Sequence, residues 1–118
     1  MEMIQNVSET AAPGSRDRRM NARYIGPFDG YRVDFLETPL SICDLGQGGC
    51  FINSIHDQSP GVRFQMKVEL PRVGWVVLNA ETLYLRSGYG FAVRFVEMDE
   101  ATAGRLELGL EQLIDREI

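Results

Sequence analysis

The sequence predicts a mainly β protein, a six-stranded antiparallel β-barrel followed by one C-terminal α-helix. Two observations predict this class. Between residues 31 and 98, apolar and polar side chains alternate with a period of two, as in strands that bury one face. From residue 99 onward, the spacing of the apolar residues becomes that of an amphipathic helix. Several strands that end in one helix are typical of a small barrel with a helical lid or plug.

The predicted strands differ in how clearly they alternate. In "YRVDFL", Tyr31, Val33 and Phe35 face one way, and the preceding "YIGPFDG" is predicted to be a turn because it contains glycine and proline. "LSIC" and "CFINS" are short strands joined by the glycine-rich turn "DLGQGG". "VRFQMKVEL" alternates most clearly, whereas the mixed phase of "WVVLNAETLYLRS" predicts a β-bulge near Ala80 or Glu81. "YGFAVRFVEM" then restores the alternation.

The C-terminal helix is predicted from "DEATAGRLELGLEQLIDREI". Its apolar face is formed by residues at helical spacing, namely Ala103, Leu106, Leu110, Leu113 and Ile114. Asp99 is the expected N-cap. Gly104 and Gly109 each weaken a helix by about 1 kcal/mol relative to alanine, so we expect this helix to depend on docking to the sheet.

Composition limits both the domain organisation and the class of function. The 118 residues are expected to form a flexible N-terminal arm (residues 1–15), a barrel (residues 16–98) and the helix packed on it (residues 99–118). A net charge of −5 argues against general attraction to nucleic acid. The apolar runs are too short for membrane insertion, and the N-terminus does not resemble a signal peptide. Two cysteines and no export signal indicate a cytoplasmic protein.

The sequence contains no convincing catalytic set, and we therefore expect a protein that is not an enzyme. His56, the only histidine, lies beside Asp57 and Ser59, but near neighbours in one loop rarely reach the geometry of a catalytic triad. Cys43 and Cys50 flank the "DLGQGG" turn without the spacing of a metal site. No metal and no cofactor are expected.

A cluster of arginines is the first candidate binding element. Arg16, Arg18, Arg19 and Arg23 lie within eight positions of an acidic chain. The planar guanidinium group binds phosphate through paired hydrogen bonds, stacks on bases and can read the O6 and N7 edge of guanine. The cluster predicts a local anion- and guanine-binding segment, and the alternative is a solvated, mobile arm.

The "DLGQGG" turn is the second candidate element. The Asp44 carboxylate can accept hydrogen bonds from the N1–H and N2–H2 edge of a guanine. Gly46, Gly48 and Gly49 allow a ligand to approach the backbone closely. The alternative interpretation is an ordinary glycine-rich hairpin turn.

The two elements together resemble the signature of the PilZ domain family. Arg19-x-x-x-Arg23 is followed, twenty-one residues after Arg23, by Asp44-x-Gly46-x-x-Gly49 between short strands. The family shows RxxxR and then [D/N]xSxxG on a six-stranded antiparallel barrel with a C-terminal helix. Its members are bacterial receptors for the second messenger cyclic di-GMP. "GGCFI" and "GYGFAVRFVEMDE" also resemble the later strands of the family, so the resemblance covers nearly the whole chain.

The resemblance implies roles for individual residues. Arg19 and Arg23 would hold phosphates and guanine edges, Asp44 would hold a guanine, and Gly49 would be the turn glycine. Arg18, directly before the motif, matches a position where arginine accompanies a stacked pair of ligands in the family. Whether one or two ligand molecules bind is left open.

One residue departs from the family pattern, because Gly46 stands where the family has serine. A missing hydrogen bond of about 0.5–1.5 kcal/mol corresponds to binding that is roughly 2- to 12-fold weaker. On the sequence alone, Gly46→Ser is therefore expected to tighten binding by up to about tenfold.

The resemblance implies a cyclic di-GMP receptor that signals to an unidentified downstream protein when its N-terminal arm becomes ordered. Two alternatives remain. One is a degenerate PilZ barrel that acts as a protein-interaction module without nucleotide. The other is a small barrel that binds single-stranded nucleic acid by stacking, which the acidic charge disfavours.

Overall fold

The computed structural model describes residues 22–34, 36–55 and 58–118, and it contains six strands followed by one α-helix. The predicted arm and Arg16, Arg18, Arg19, Phe35, His56 and Asp57 lie outside the described residues. The strands are β1 (Arg23–Arg32), β2 (Thr38–Gly46), β3 (Gly49–Asn53), β4 (Arg63–Leu70), β5 (Gly74–Arg86) and β6 (Gly90–Val96). The helix α1 spans Glu100–Glu111, and a 3-10 turn covers Ile114–Arg116.

The strands close into a barrel in the order β1-β2-β3-β6-β5-β4, and every neighbouring pair is antiparallel. Closure leaves no free sheet edge, and the alternating side chains fill the interior. The predicted fold class, a six-stranded antiparallel barrel with a C-terminal helix, is confirmed.

The first strand lies earlier in the chain than the sequence predicts. "YIGPFDG" is not a turn, because it forms most of β1. Pro27 falls within an irregularity of the β1–β2 register between Ile25 and Phe28, where the regular ladder is interrupted. Gly30 fits inside the barrel because a Cβ there would lie 2.5 Å from Cδ1 of Ile42. Pro27 thus occupies a bulge and Gly30 allows close packing, and neither residue reverses the direction of the chain.

The barrel interior forms one apolar core with the inner face of the helix. Its fully buried members come from several strands and α1, and include Ile42, Leu45, Ile52, Met66, Val68, Val76, Leu78 and Leu106. The β5 bulge lies slightly later than Ala80 or Glu81, because the β5–β6 register shifts between Thr82 and Tyr84. Inward alternation therefore continues to Thr82. Leu83 and Tyr84 are both exposed, and Leu85 packs against the core again.

Helix α1 is fixed by its N-cap and by a contact from its middle to the barrel. The Asp99 carboxylate accepts a hydrogen bond from the Thr102 backbone N–H at 2.7 Å, which confirms the predicted N-cap. Arg105 Nη2 donates to the carbonyl oxygen of Trp75 at 3.0 Å and so anchors the helix to the start of β5. The α-helix ends earlier than residue 118, and Ile114, predicted on its apolar face, is exposed on the 3-10 turn. No described helix has both the length and the apolar character needed to cross a membrane.

Candidate functional site

The barrel brings together one residue from each of the two predicted motifs. Arg23 at the start of β1 pairs with Gly46 of β2, and Ile25 pairs with Asp44. Tyr24 is buried in the core, so Arg23 points outward, where its Nη2 donates to Oδ1 of Asp44. Two side chains that are twenty-one residues apart in sequence thus form an ion pair on the outer face of the barrel.

This ion pair is only partly shielded from solvent. The side chains of Arg23 and Asp44 are 40% and 25% exposed, respectively. Oδ2 of Asp44 accepts no hydrogen bond from any residue that the structure describes. With respect to the described residues, the carboxylate can therefore accept a further hydrogen bond, and the guanidinium group has N–H donors beyond the one that it gives to Asp44.

Gly46 is required by packing at the same place. A Cβ on Gly46 would lie 2.8 Å from the carbonyl oxygen of Ala22 and 3.0 Å from Cδ of Arg23. Its φ is outside the left-handed region, so crowding and not backbone conformation selects glycine. A serine at position 46 would therefore force the backbone of Ala22 to shift, which the expectation of tighter binding by Gly46→Ser does not take into account.

The other two glycines of the turn differ sharply in their surroundings. A Cβ on Gly49 would lie 2.2 Å from the carbonyl oxygen of Val93, so β3 can approach β6 only with glycine at this position. Gly48 is exposed, and a Cβ there would meet nothing within 4 Å. Gly49 thus has a structural reason for being glycine that does not depend on any ligand.

A depression of about 370 Å³ lies beside the ion pair on the outer face. Asp44 pairs with Phe51 of β3, Phe51 with Ala92 of β6, and Ala92 with Tyr84 of β5. Ala92 and Gly90 of β6 lie between the larger side chains of β3 and β5. Because these two residues are small, the depression stays open. The lining residues are Cys43, Asp44, Phe51, Asn53, Tyr84, Arg86 and Tyr89.

One wall of this depression is formed by Tyr84, Arg86 and Tyr89. The sequence analysis did not predict these residues as part of a site. Tyr84 is 51% exposed and Tyr89 is 69% exposed, unusually high values for aromatic side chains next to a barrel core. The side chain of Tyr84 points outward because the β5–β6 register shifts after Thr82. The signal in the sequence is the cluster "YLRSGYG", in which two aromatic residues and an arginine surround a turn.

The two cysteines lie close to the site but in different environments. Partial burial, together with the charge of Asp44, raises the pKa of the Cys43 thiol, which lines the depression. Complete burial raises the pKa of the Cys50 thiol much further. No group of three metal-binding side chains occurs within residues 22–34, 36–55 and 58–118.

Comparison with solved structures relates this barrel to known proteins. The PilZ domain of YcgR from Escherichia coli, solved with c-di-GMP, is 16% identical at a TM-score of 0.62, over 82% of this chain and 92% of that chain. The Bacillus subtilis inhibitor of motility MotI/DgrA is 14% identical at a TM-score of 0.65, over 84% of this chain and 52% of that chain. The uncharacterized Legionella protein Lpg0364 is 17% identical at a TM-score of 0.59, over 79% of this chain and 94% of that chain.

A scan against protein-family models finds no match, and a search of the curated proteins finds none. The structural likeness covers about four fifths of the chain. The chain therefore has the PilZ-type fold, a six-stranded antiparallel barrel with a C-terminal helix.

Proposed function

We propose that this protein is a bacterial, cytoplasmic receptor for cyclic di-GMP without catalytic activity of its own. The observation that carries the proposal is the meeting of Arg23 and Asp44 at the rim of an aromatic depression on a PilZ-type barrel. The likeness to a PilZ domain solved with c-di-GMP supports the choice of ligand. No metal ion or cofactor is part of this proposal.

Each part of the site matches a different part of a guanine dinucleotide. Oδ2 of Asp44 accepts from the N1–H and N2–H2 edge of a guanine, while Arg23 binds a phosphate or the O6 and N7 edge. Tyr84 and Tyr89 offer exposed rings on which a base stacks. The depression of about 370 Å³ is small for a ligand pocket, so we expect it to hold one guanosine unit.

The rest of the ligand would be covered by the arginine segment. The resemblance to the PilZ family implies this role for Arg18 and Arg19, which precede β1 in the sequence. In this proposal the segment becomes ordered when ligand binds, and a separate downstream protein recognises the ordered state.

A specific observation also favours the alternative function, a degenerate barrel that binds a protein partner without nucleotide. Arg23 and Asp44 already pair with each other, so a ligand must compete with or share their ion pair. Gly46 supplies no hydroxyl group, and its surroundings leave no room for one. Both features are compatible with a site whose remaining role is structural.

Isothermal titration calorimetry of the full chain separates the two functions. Cyclic di-GMP should bind saturably, whereas GTP and cyclic di-AMP should not bind at the same concentrations. Asp44→Ala removes the acceptors that would face the donors of guanine, and we expect it to weaken binding by at least about tenfold.

Glu100→Ala, on α1 and outside the lining of the depression, is the matched control and should bind as the parent does. A folded parent chain that shows no heat of binding with cyclic di-GMP would refute the receptor and leave the interaction module. Binding of single-stranded oligonucleotides with steep salt dependence would instead support the nucleic-acid function.

A further inference from the structure

A second depression of about 240 Å³ lies on the outer face at the far ends of β1 and β5 from the candidate site. Its lining comprises two carboxylates, Asp29 and Glu69, and two aromatic rings, Tyr31 and Trp75, with Gly30, Pro39 and Leu40. Phe28, Val68 and Val76 are buried next to these positions, so the acidic and aromatic side chains point outward. The side chains that line this pocket therefore differ in chemical type from those of the candidate site.

The two carboxylates lie on neighbouring strands at the same level of the barrel. The β1–β4 pairing ends at Gly30 and Val68, and Asp29 and Glu69 are the next residues beyond it on the two strands and line the same pocket. Among the described residues, none that lines the pocket is cationic. No hydrogen bond or ion pair to either carboxylate comes from another described side chain. The two carboxylates would therefore stabilise a positive charge that another molecule brings to this position.

Neighbouring cations do not fill this position. Arg72 and Arg116 border an adjacent depression of about 590 Å³ that shares the two acids, but within the described chain neither forms an ion pair with them. The guanidinium group of Arg116 instead lies 5.6 Å from the centre of the Phe28 ring.

The aromatic pair is already arranged to hold cations. The ring centroids of Tyr31 and Trp75 are 5.7 Å apart with planes tilted by 53°. Lys67 Nζ lies 4.8 Å from the Trp75 centroid and 5.5 Å from that of Tyr31. Its charge is compensated by Glu37 at 3.0 Å, and Lys67 does not line the pocket. Ring surface on the pocket side is therefore available to a second cation.

We propose that this pocket binds an arginine side chain presented by a partner protein. A guanidinium group suits the site because it stacks on an aromatic ring and donates in its plane to carboxylates, which an ammonium group cannot do. The exposed Trp75 and the half-buried Tyr31 match the composition of binding hot spots at protein interfaces. The occupant is thus a basic segment whose arginine lies between Trp75 and the two acids.

This inference does not depend on nucleotide binding. The pocket lies near the start of β5, whereas Tyr84 and Arg86 of the candidate site lie near its end. A ligand in one site does not cover the other. If the receptor function holds, this pocket is a docking point for the downstream protein, and failure of either proposal leaves the other standing.

The single tryptophan of the chain provides a direct test. The indole N–H cross-peak of Trp75 in a 1H–15N NMR spectrum is followed during titration of the full chain. The probe is a capped peptide of glycine and serine residues around one central arginine. We expect a saturable shift, and binding that is at least about tenfold weaker when the arginine is replaced by uncharged citrulline.

Glu69→Gln should weaken binding of the arginine peptide by about tenfold, while the matched control Glu111→Gln, on α1, should not change it. The same spectra report whether each variant is folded, and the citrulline comparison needs no variant. Arginine and citrulline peptides that shift Trp75 equally, or no saturable shift at all, would overturn the proposal. A lysine peptide that binds as tightly as the arginine peptide would overturn the assignment of a guanidinium group.

Discussion

The backbone N–H of Ile118 donates to the carbonyl oxygen of Arg23 at 2.8 Å, which places the C-terminal segment directly beside the candidate site. Tyr24 forms an adjacent antiparallel bridge with Glu117. On its other side, Arg23 pairs with Gly46 of β2. Because the Arg23 backbone is held from both sides, its response to a ligand is confined to rotation of its side chain.

Arg23→Ala should weaken cyclic di-GMP binding by at least about tenfold, because it removes charge-assisted hydrogen bonds to the ligand. The change in stability should be small, since a partly exposed ion pair contributes only about 0–1 kcal/mol. Calorimetry and thermal unfolding measure the two effects. The sequence resemblance predicts the same result for Arg19→Ala.

Arg63→Ala is the matched control for this experiment. Arg63 is also an exposed, ion-paired arginine, with Glu97 at 3.2 Å and Glu81 at 3.6 Å, but it lies outside the depression. Its loss should leave binding unchanged. Equal weakening by both variants would indicate a general charge effect, and parallel loss of stability and binding in Arg23→Ala would indicate a structural role.

Gly46→Ser should destabilise the fold and should not tighten ligand binding. The new Cβ would lie 2.8 Å from the Ala22 carbonyl oxygen, and overpacking of this kind costs about 1–3 kcal/mol. Gly48→Ser, two residues along the same turn, meets nothing within 4 Å and should leave the melting temperature nearly unchanged. A Gly46→Ser variant with parental stability and tighter binding would contradict the steric argument.

The fold class could be predicted from the sequence because the barrel depends on local alternation. In β4, for example, Phe64, Met66 and Val68 alternate with polar residues without interruption. The predictions were wrong where a residue typical of turns is present for a reason that depends on how the strands pack. Pro27 and Gly30 are typical turn residues, yet the first occupies a bulge and the second makes room for Ile42 inside the barrel. Neither reason can be read before the strands are paired.

The candidate site was predictable only where a motif exists. Arg23 and Asp44 could be related through their spacing, and the structure places them in contact. Tyr84 and Tyr89 could not be assigned, because their outward direction depends on the β5–β6 register shift. The acidic pocket was missed for a similar reason, since Asp29 and Glu69 are forty residues apart and only barrel closure makes them neighbours.

The two glycines of α1 should respond in opposite ways to alanine. Gly104 is exposed with nothing near a new Cβ, so Gly104→Ala should stabilise the protein by about 0.5–1 kcal/mol through helix propensity. Gly109 packs against β4, where a Cβ would lie 2.8 Å from Cβ of Leu70. Gly109→Ala should therefore destabilise it by about 1–3 kcal/mol. Denaturant unfolding measures both, and stabilisation by both variants would show that α1 is not docked as described.

Maleimide labelling of Cys43 should be slow at neutral pH and should slow further when cyclic di-GMP is bound. Partial burial and the charge of Asp44 raise the pKa of this thiol, against a smaller lowering by Arg23, so less reactive thiolate is present than in a free cysteine. The rate should rise about tenfold per pH unit until the pH passes the raised pKa.

Asp44→Asn removes a charge that raises the pKa and should speed labelling at fixed pH. Cys50 is buried in the core and should not react, so Cys43→Ser gives the background. Labelling of Cys43 at the rate of an unstructured peptide, with or without nucleotide, would contradict both its shielded position and its place beside the ligand.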